Sequence, residues 1–254
     1  MLSNLPSRAF VLGMVFCALV SRSCWSDGDV EQGRRTSLLE ILKDTSDAIS
    51  IGNYDLALQL AARCIEIAPR ESRCRRRQGL VHYKMKNFVA SAADLDIAIE
   101  LEPENYGYFT ARGIDKFEMK EYFSAVEDFS KALAIQPSFL EARRWRGFAD
   151  YNLSHDDKVV GDLTVALAQD DADTEALRIR GLAHQQLGHL DLAIADFLAA
   201  LKHHGNSMTF YILLGKAYLL KGDTWNADRA LGRIGACRDG YCLPRPADND
   251  DALP

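Results

Sequence analysis

The stretch YGYFTARGIDKFEMKEYFSAVEDFSKALAIQPSF, residues 106–139, decides the fold. Its Gly113 has counterparts at Gly79, Gly147, Gly181 and Gly215, each 34 residues from the next. A fixed period of this size marks one helical hairpin copied and stacked, because a single hairpin cannot bury its own apolar face. The remaining positions fall into the same register. Twelve residues after each glycine stands a small or β-branched residue: Ser91, Ala125, Val159, Ala193 and Ala227. Four further on is a bulky apolar one (Leu95, Phe129, Leu163, Phe197, Leu231), and three beyond that an alanine (Ala98, Ala132, Ala166, Ala200). Pro69, Pro103 and Pro137 close the early units, with Asp171 and Gly205 in the matching places later. Small residues let two helices approach, the bulky residue fills the space beside them, and proline or glycine stops the second helix. No coiled-coil heptad or βαβ alternation competes with this period.

The pattern resembles the tetratricopeptide repeat family, whose signature has glycine at position 8, alanine at 20 and 27, an aromatic at 24 and proline at 32. The resemblance covers residues 38–237 as six units starting at Leu38, Ser72, Tyr106, Leu140, Thr174 and Met208. Unit three matches best, with Phe109, Gly113, Tyr122, Ala125, Phe129, Ala132 and Pro137 in place. Unit one departs at Asp44 and Thr45 but keeps Gly52, Tyr54, Ala57 and Pro69, and reads as a degenerate starting cap. Unit six carries Ile234 in place of an alanine. The resemblance implies an all-α fold, a right-handed superhelical solenoid of about six stacked hairpins. It also implies a protein-binding function, with the first helix of each hairpin lining a concave groove.

In this family, positions 2, 5, 9, 12 and 13 of the first helix point into the groove. The candidate partner-binding residues at those positions are Arg73, Arg76 and Tyr83 in unit two, and Ile114 and Phe117 in unit three. Arg144, Phe148 and Tyr151 follow in unit four, and Arg178 and Leu182 in unit five. Aromatics and arginine dominate binding hot spots; burial of Phe117, Phe148 and Tyr151 between hairpins is the alternative reading. The paired asparagines and lysines of a carboxylate clamp are missing, since position 9 reads Ser46, Leu80, Ile114, Phe148, Leu182 and Lys216. An apolar floor suits an extended peptide or an amphipathic helix.

The ends carry different signals. Arg8 precedes an apolar run from Ala9 to Val20, with Ser21 and Ser23 as small residues for cleavage. Residues 1–26 therefore read as a secretory signal peptide, and the chain as secreted or periplasmic. An uncleaved anchor or a lipid-modified Cys24 are the alternatives, giving possible membrane attachment. Residues 27–37 read as a polar linker, and 238–254 as an acidic tail containing cysteine and proline. Export makes disulfides admissible. In the resembled repeat, the helix faces carrying Cys64 and Cys74 pack together, and Cys237 and Cys242 flank a turn-forming stretch. Both pairs are disulfide candidates; the alternative is a small core cysteine and a free terminal pair. The helix from Met208 is apolar on nearly every face, so Tyr211, Ile212, Leu213, Leu219 and Leu220 are candidates for self-association into a homodimer.

Chemistry is not indicated. Ser154-His155-Asp156 contains triad residue types, but adjacent side chains in a turn diverge. His184, His189, His203 and His204 read as loop and helix-end residues rather than metal ligands. The net charge of −6 argues against bulk nucleic-acid binding, despite the cluster Arg70, Arg73, Arg75, Arg76 and Arg77. The expected function is a non-enzymatic adaptor or scaffold for a protein or peptide, with no cofactor, metal, nucleic acid or small-molecule substrate. The alternative is a structural oligomer built through the C-terminal hairpin.

Overall fold

The computed structural model describes the backbone of residues 27–204, 207–234, 237–238 and 241–242, and the side chains of 37–203 and 207–234. The chain forms two units, Met1–Asn87 and Phe88–Pro254. The first holds α1 (Asp27–Ser50), α2 (Tyr54–Ile67) and α3 (Ser72–Lys84). The second begins with α4 (Phe88–Leu101), α5 (Tyr106–Glu118), α6 (Tyr122–Ile135), α7 (Leu140–Asn152) and α8 (Asp156–Leu167). It continues with α9 (Thr174–Gln186), α10 (Leu190–His204), α11 (Met208–Lys221) and α12 (Thr224–Gly232). The architecture is that of a helical solenoid, in which each helix packs against the next in the chain within its unit. The one departure among the described residues is a short antiparallel ladder, β1 (Cys237–Arg238) with β2 (Tyr241–Cys242), which pairs Cys237 with Cys242 through the backbone. The side chains of those two cysteines lie outside the described residues, as does the expected signal peptide.

Residues 27–37 correct the sequence reading. They are not a linker but the opening turns of α1. No proline interrupts 27–50. In the first unit, Ile41 and Leu42 of α1 pack with Cys64 of α2 and Cys74 of α3. The two cysteines are fully buried and joined as a disulfide with Cα atoms 5.5 Å apart. Thr45, which stands where later units have glycine, is also fully buried; its hydroxyl donates to the Ile41 carbonyl at 2.6 Å.

In the second unit the repeat glycines are fixed by close approach. A Cβ on Gly113 would lie 2.6 Å from the Phe129 ring, and one on Gly181 2.6 Å from the Phe197 ring. At Gly147 and Gly215 the obstacles are Leu163 at 2.8 Å and Leu231 at 2.6 Å. The bulky residue of the second helix thus lies flat on the bare backbone of the first, and Phe129, Leu163 and Phe197 are fully buried there.

A second repeating contact locks the same helices. Arg112 donates to Asp128 through Nε (2.8 Å) and Nη2 (2.6 Å), while its Nη1 reaches back to Asp96 at 2.6 Å. Arg146 does the same with Asp162 (2.6 and 2.8 Å) and Ser130 (3.3 Å). Arg180 repeats the arrangement with Asp196 (2.9 and 2.6 Å) and Thr164 (3.3 Å). Each arginine precedes a repeat glycine and ties its first helix to the second helix of its own hairpin and to that of the hairpin before. The aspartates are buried, so the bidentate geometry is what makes their charge tolerable.

Gly181→Ala is expected to destabilise the chain by about 1–3 kcal/mol, because the rigid Phe197 ring has nowhere to move. Gly161→Ala, inside α8 with nothing within 4 Å of the added Cβ, is expected to stabilise it by about 1 kcal/mol through helix propensity. Urea unfolding of the two variants checks both signs.

Candidate protein-binding face

The first helices α5, α7 and α9 of the second unit present seven of the expected groove residues. Ile114, Phe117, Tyr151 and Leu182 are each half-buried, with part of the side chain facing outward. Ile114 packs on the cluster around Ala125, Phe129 and Ala149; Tyr151 and Leu182 rest on the larger cluster built around Leu163 and Phe197. Phe117 is held edge-on by Trp145 of the next first helix (ring centroids 5.2 Å) and by Tyr122 (5.4 Å).

Phe148 is a correction. It is only 5% exposed and belongs to the core, because Arg144 lies over its ring at 4.9 Å and Trp145 packs on its edge at 5.8 Å. Arg144 and Arg178 stay on the face but are not bare charges. Arg144 Nε donates to Asp173. Arg178 grips Glu175 with two bonds of 2.8 and 2.6 Å, and this hydrogen-bonded carboxylate raises the guanidinium pKa above its ordinary value. The face is therefore apolar with neutralised arginines.

Arg73, Arg76 and Tyr83 lie on α3, in the first unit. Arg73 is exposed and donates twice to Glu71 (2.6 and 3.0 Å); that hydrogen bond holds the Glu71 carboxyl below its ordinary range. Arg76 and Tyr83 are half-buried.

At the C-terminal hairpin the candidates divide. Tyr211 is 5% exposed and joins the core, a second correction: its position in the repeat is the one that Phe109 and Leu177 fill with buried apolar side chains. Leu213 is half-buried, while Ile212, Leu219 and Leu220 are 44%, 51% and 56% exposed. Trp225, which the sequence reading passed over, is 65% exposed beneath the Arg229 guanidinium, 4.4 Å from its ring.

Ser154, His155 and Asp156 form no relay. His155 Nδ1 is bonded to the buried Asp150 at 2.7 Å instead. His184 is 7% exposed, with Nδ1 buried and without a hydrogen-bond partner, and its ring lies 5.7 Å from that of His189. Among the described residues no three His, Cys, Asp or Glu side chains gather to hold a metal ion.

The Arg–Asp ties were missed by the sequence reading, yet they carried a signal. Arg112-Gly113, Arg146-Gly147 and Arg180-Gly181 are each followed, sixteen residues after the arginine, by Asp128, Asp162 and Asp196.

Residues 179–227 match the tetratricopeptide repeat family model. No curated protein sequence matches the chain. Solved structures similar to it include YrrB, a TPR protein with an unusual peptide-binding site, at 20% identity and TM-score 0.64, covering 68% of this chain and 89% of that one. MamA from Desulfovibrio magneticus RS-1 aligns at 18% identity and TM-score 0.62 (65% and 93% covered). The pilF protein of Pseudomonas aeruginosa aligns at 12% identity and TM-score 0.68 (78% and 90% covered). At these identities the likeness concerns the fold alone.

Burial, first among the causes, holds the His184 pKa below its ordinary value of 6.5; Asp196 pulls it up, while Arg180 and His189 push it down. The unfolded chain therefore binds this proton at higher pH than the folded chain does, so stability declines as pH falls below that ordinary value. Urea unfolding at pH 8 and pH 5.5 is expected to show a smaller loss for His184→Phe than for the unaltered chain.

Proposed function

We propose that this chain, which belongs to the tetratricopeptide repeat family, is a non-enzymatic module that holds a peptide or partner domain on the first-helix face of its second unit. Proteins of this family mediate protein–protein interaction. The observation that carries the reading is the row Ile114, Phe117, Tyr151 and Leu182, apolar side chains fixed by the core beneath them and left partly open above. Rigid anchors of this kind lower the ordering cost of binding. The ion pairs at Arg144 and Arg178 favour a segment read by apolar side chains over a strongly acidic one. The peptide-binding site of the similar YrrB lends support to a peptide as ligand.

The N-terminal pattern of Arg8, Ala9–Val20 and the small residues after it supports export, and with it a secreted or periplasmic adaptor. The Cys64–Cys74 disulfide suits an oxidising compartment. A second reading, self-association through α11, rests on the exposure of Ile212, Leu219 and Leu220. It calls for a homodimer, whereas the adaptor reading requires none.

Affinity capture with residues 27–254 from the extracytoplasmic fraction of the source tests the first reading. The partner recovered is expected to bind Tyr151→Ala/Leu182→Ala about tenfold or more weakly, measured below the variant's own melting temperature, where circular dichroism shows it folded. Equal binding by the double variant would overturn the assignment of this face. Loss of capture in Leu219→Asp/Leu220→Asp alone, with recovery of only the chain itself, would favour the oligomer.

A further inference from the structure

A cleft of about 490 Å³ opens between α6 (Val126, Ser130), α7 (Arg143, Arg146) and α8 (Lys158, Gly161). Its size falls within the range of small-molecule sites. It exists because the fourth repeat departs from its neighbours at three positions. Where units three, five and six place Phe109, Leu177 and Tyr211, all buried in the core, unit four places Arg143. Where they carry Glu127, Ala195 and Arg229, it carries Gly161. Where they carry Ser124, Leu192 and Asn226, it carries Lys158. Glycine inside a helix is disfavoured against alanine. Nothing lies within 4 Å of the Cβ that Gly161 lacks, so close packing does not account for it; the bare backbone leaves the cleft open.

The charges in the cleft do not balance. Asp162 is already engaged by Arg146 with two short bonds, so Arg143 Nη1 meets it only at 3.4 Å. Arg143 Nη2 donates to the Pro137 carbonyl at 2.9 Å, and its Nε is buried without a hydrogen-bond partner. The other carboxylate, Asp150, bonds His155. Lys158 is exposed and makes no ion pair with any described residue. With Arg146 and Asp162 paired to each other, two cations, Arg143 and Lys158, share the cleft with one remaining carboxylate, Asp150.

We infer that this cleft binds a small molecule bearing an oxyanion (phosphate, sulfate or carboxylate), with Arg143 and Lys158 supplying the donors beside the Arg146–Asp162 pair. The inference stands apart from the protein-binding face and runs against the expectation of no small-molecule ligand. Thermal unfolding of the purified chain tests it, with inorganic phosphate, sulfate or acetate compared against chloride at matched ionic strength. A bound anion at ten times its Kd raises the melting temperature by roughly 3 °C. Arg143→Leu, which installs the residue type of Leu177, is expected to fold and to lose that rise. Gly161→Ala, which narrows the cleft without threatening the helix, is expected to weaken binding several-fold, while Lys202→Ala on α10 leaves it unchanged. A response to phosphate and sulfate but not acetate assigns a tetrahedral anion; the reverse assigns a carboxylate. No response to any of the three, or an equal response in Arg143→Leu and Gly161→Ala, overturns the inference.

Discussion

The structure of the second unit depends on one contact made four times: a bulky apolar side chain of the second helix laid against a glycine of the first. Phe129 on Gly113, Leu163 on Gly147, Phe197 on Gly181 and Leu231 on Gly215 set how closely the two helices of each hairpin approach. That distance decides where everything else points. It brings Arg112, Arg146 and Arg180 within bidentate reach of Asp128, Asp162 and Asp196 on the facing helix. The same arginines touch Asp96, Ser130 and Thr164 on the preceding hairpin. The apolar contact and the bidentate ion pair thus both act within a hairpin, while the remaining Nη1 of each arginine links that hairpin to the one before. Interactions between neighbouring repeats of this kind are what make a solenoid fold as a unit.

Function follows from which faces the stacking leaves open. Residues at the helix–helix seams are fully committed, as Phe148 shows by lying under Arg144 and beside Trp145. Tyr151, one turn further along α7, and Leu182, which holds the place of Phe148 in the next repeat, keep part of their surface outside while their bases are anchored. That combination suits binding because little conformational freedom remains to be lost when a partner arrives. The fourth repeat adds a feature its neighbours lack. A core position given over to Arg143 and a bare helix at Gly161 turn a packed seam into a charged cleft.

Much of this was legible in the sequence because a solenoid writes its packing as a period. The glycines, the residues sixteen positions beyond them and the helix-ending prolines named the hairpins, and helices α5 to α10 begin and end near where that register puts them. What the period does not carry was harder to read. The stretch 27–37 lies before the first full repeat, and its mixed polar composition did not distinguish a linker from the start of α1. Groove membership was assigned by family position, and position alone does not reveal that Trp145 and Arg144 close over Phe148. The Arg–Asp ties share the 34-residue period, but charged residues on helices are usually solvated, so the recurrence alone does not mark them as buried pairs. The open cleft was legible only as a departure from the repeat, visible once Phe109 and Leu177 showed what position 143 would otherwise hold.

A partner held on the first-helix face of the second unit would shield the backbone of those helices from solvent. Hydrogen–deuterium exchange of the chain, free and bound to its captured partner, reads that shielding helix by helix. Exchange is expected to slow on binding in α5, α7 and α9, the helices carrying Ile114, Phe117, Tyr151 and Leu182. Slowing confined to α11 and α12, or to the second helices α6, α8 and α10, would contradict that placement.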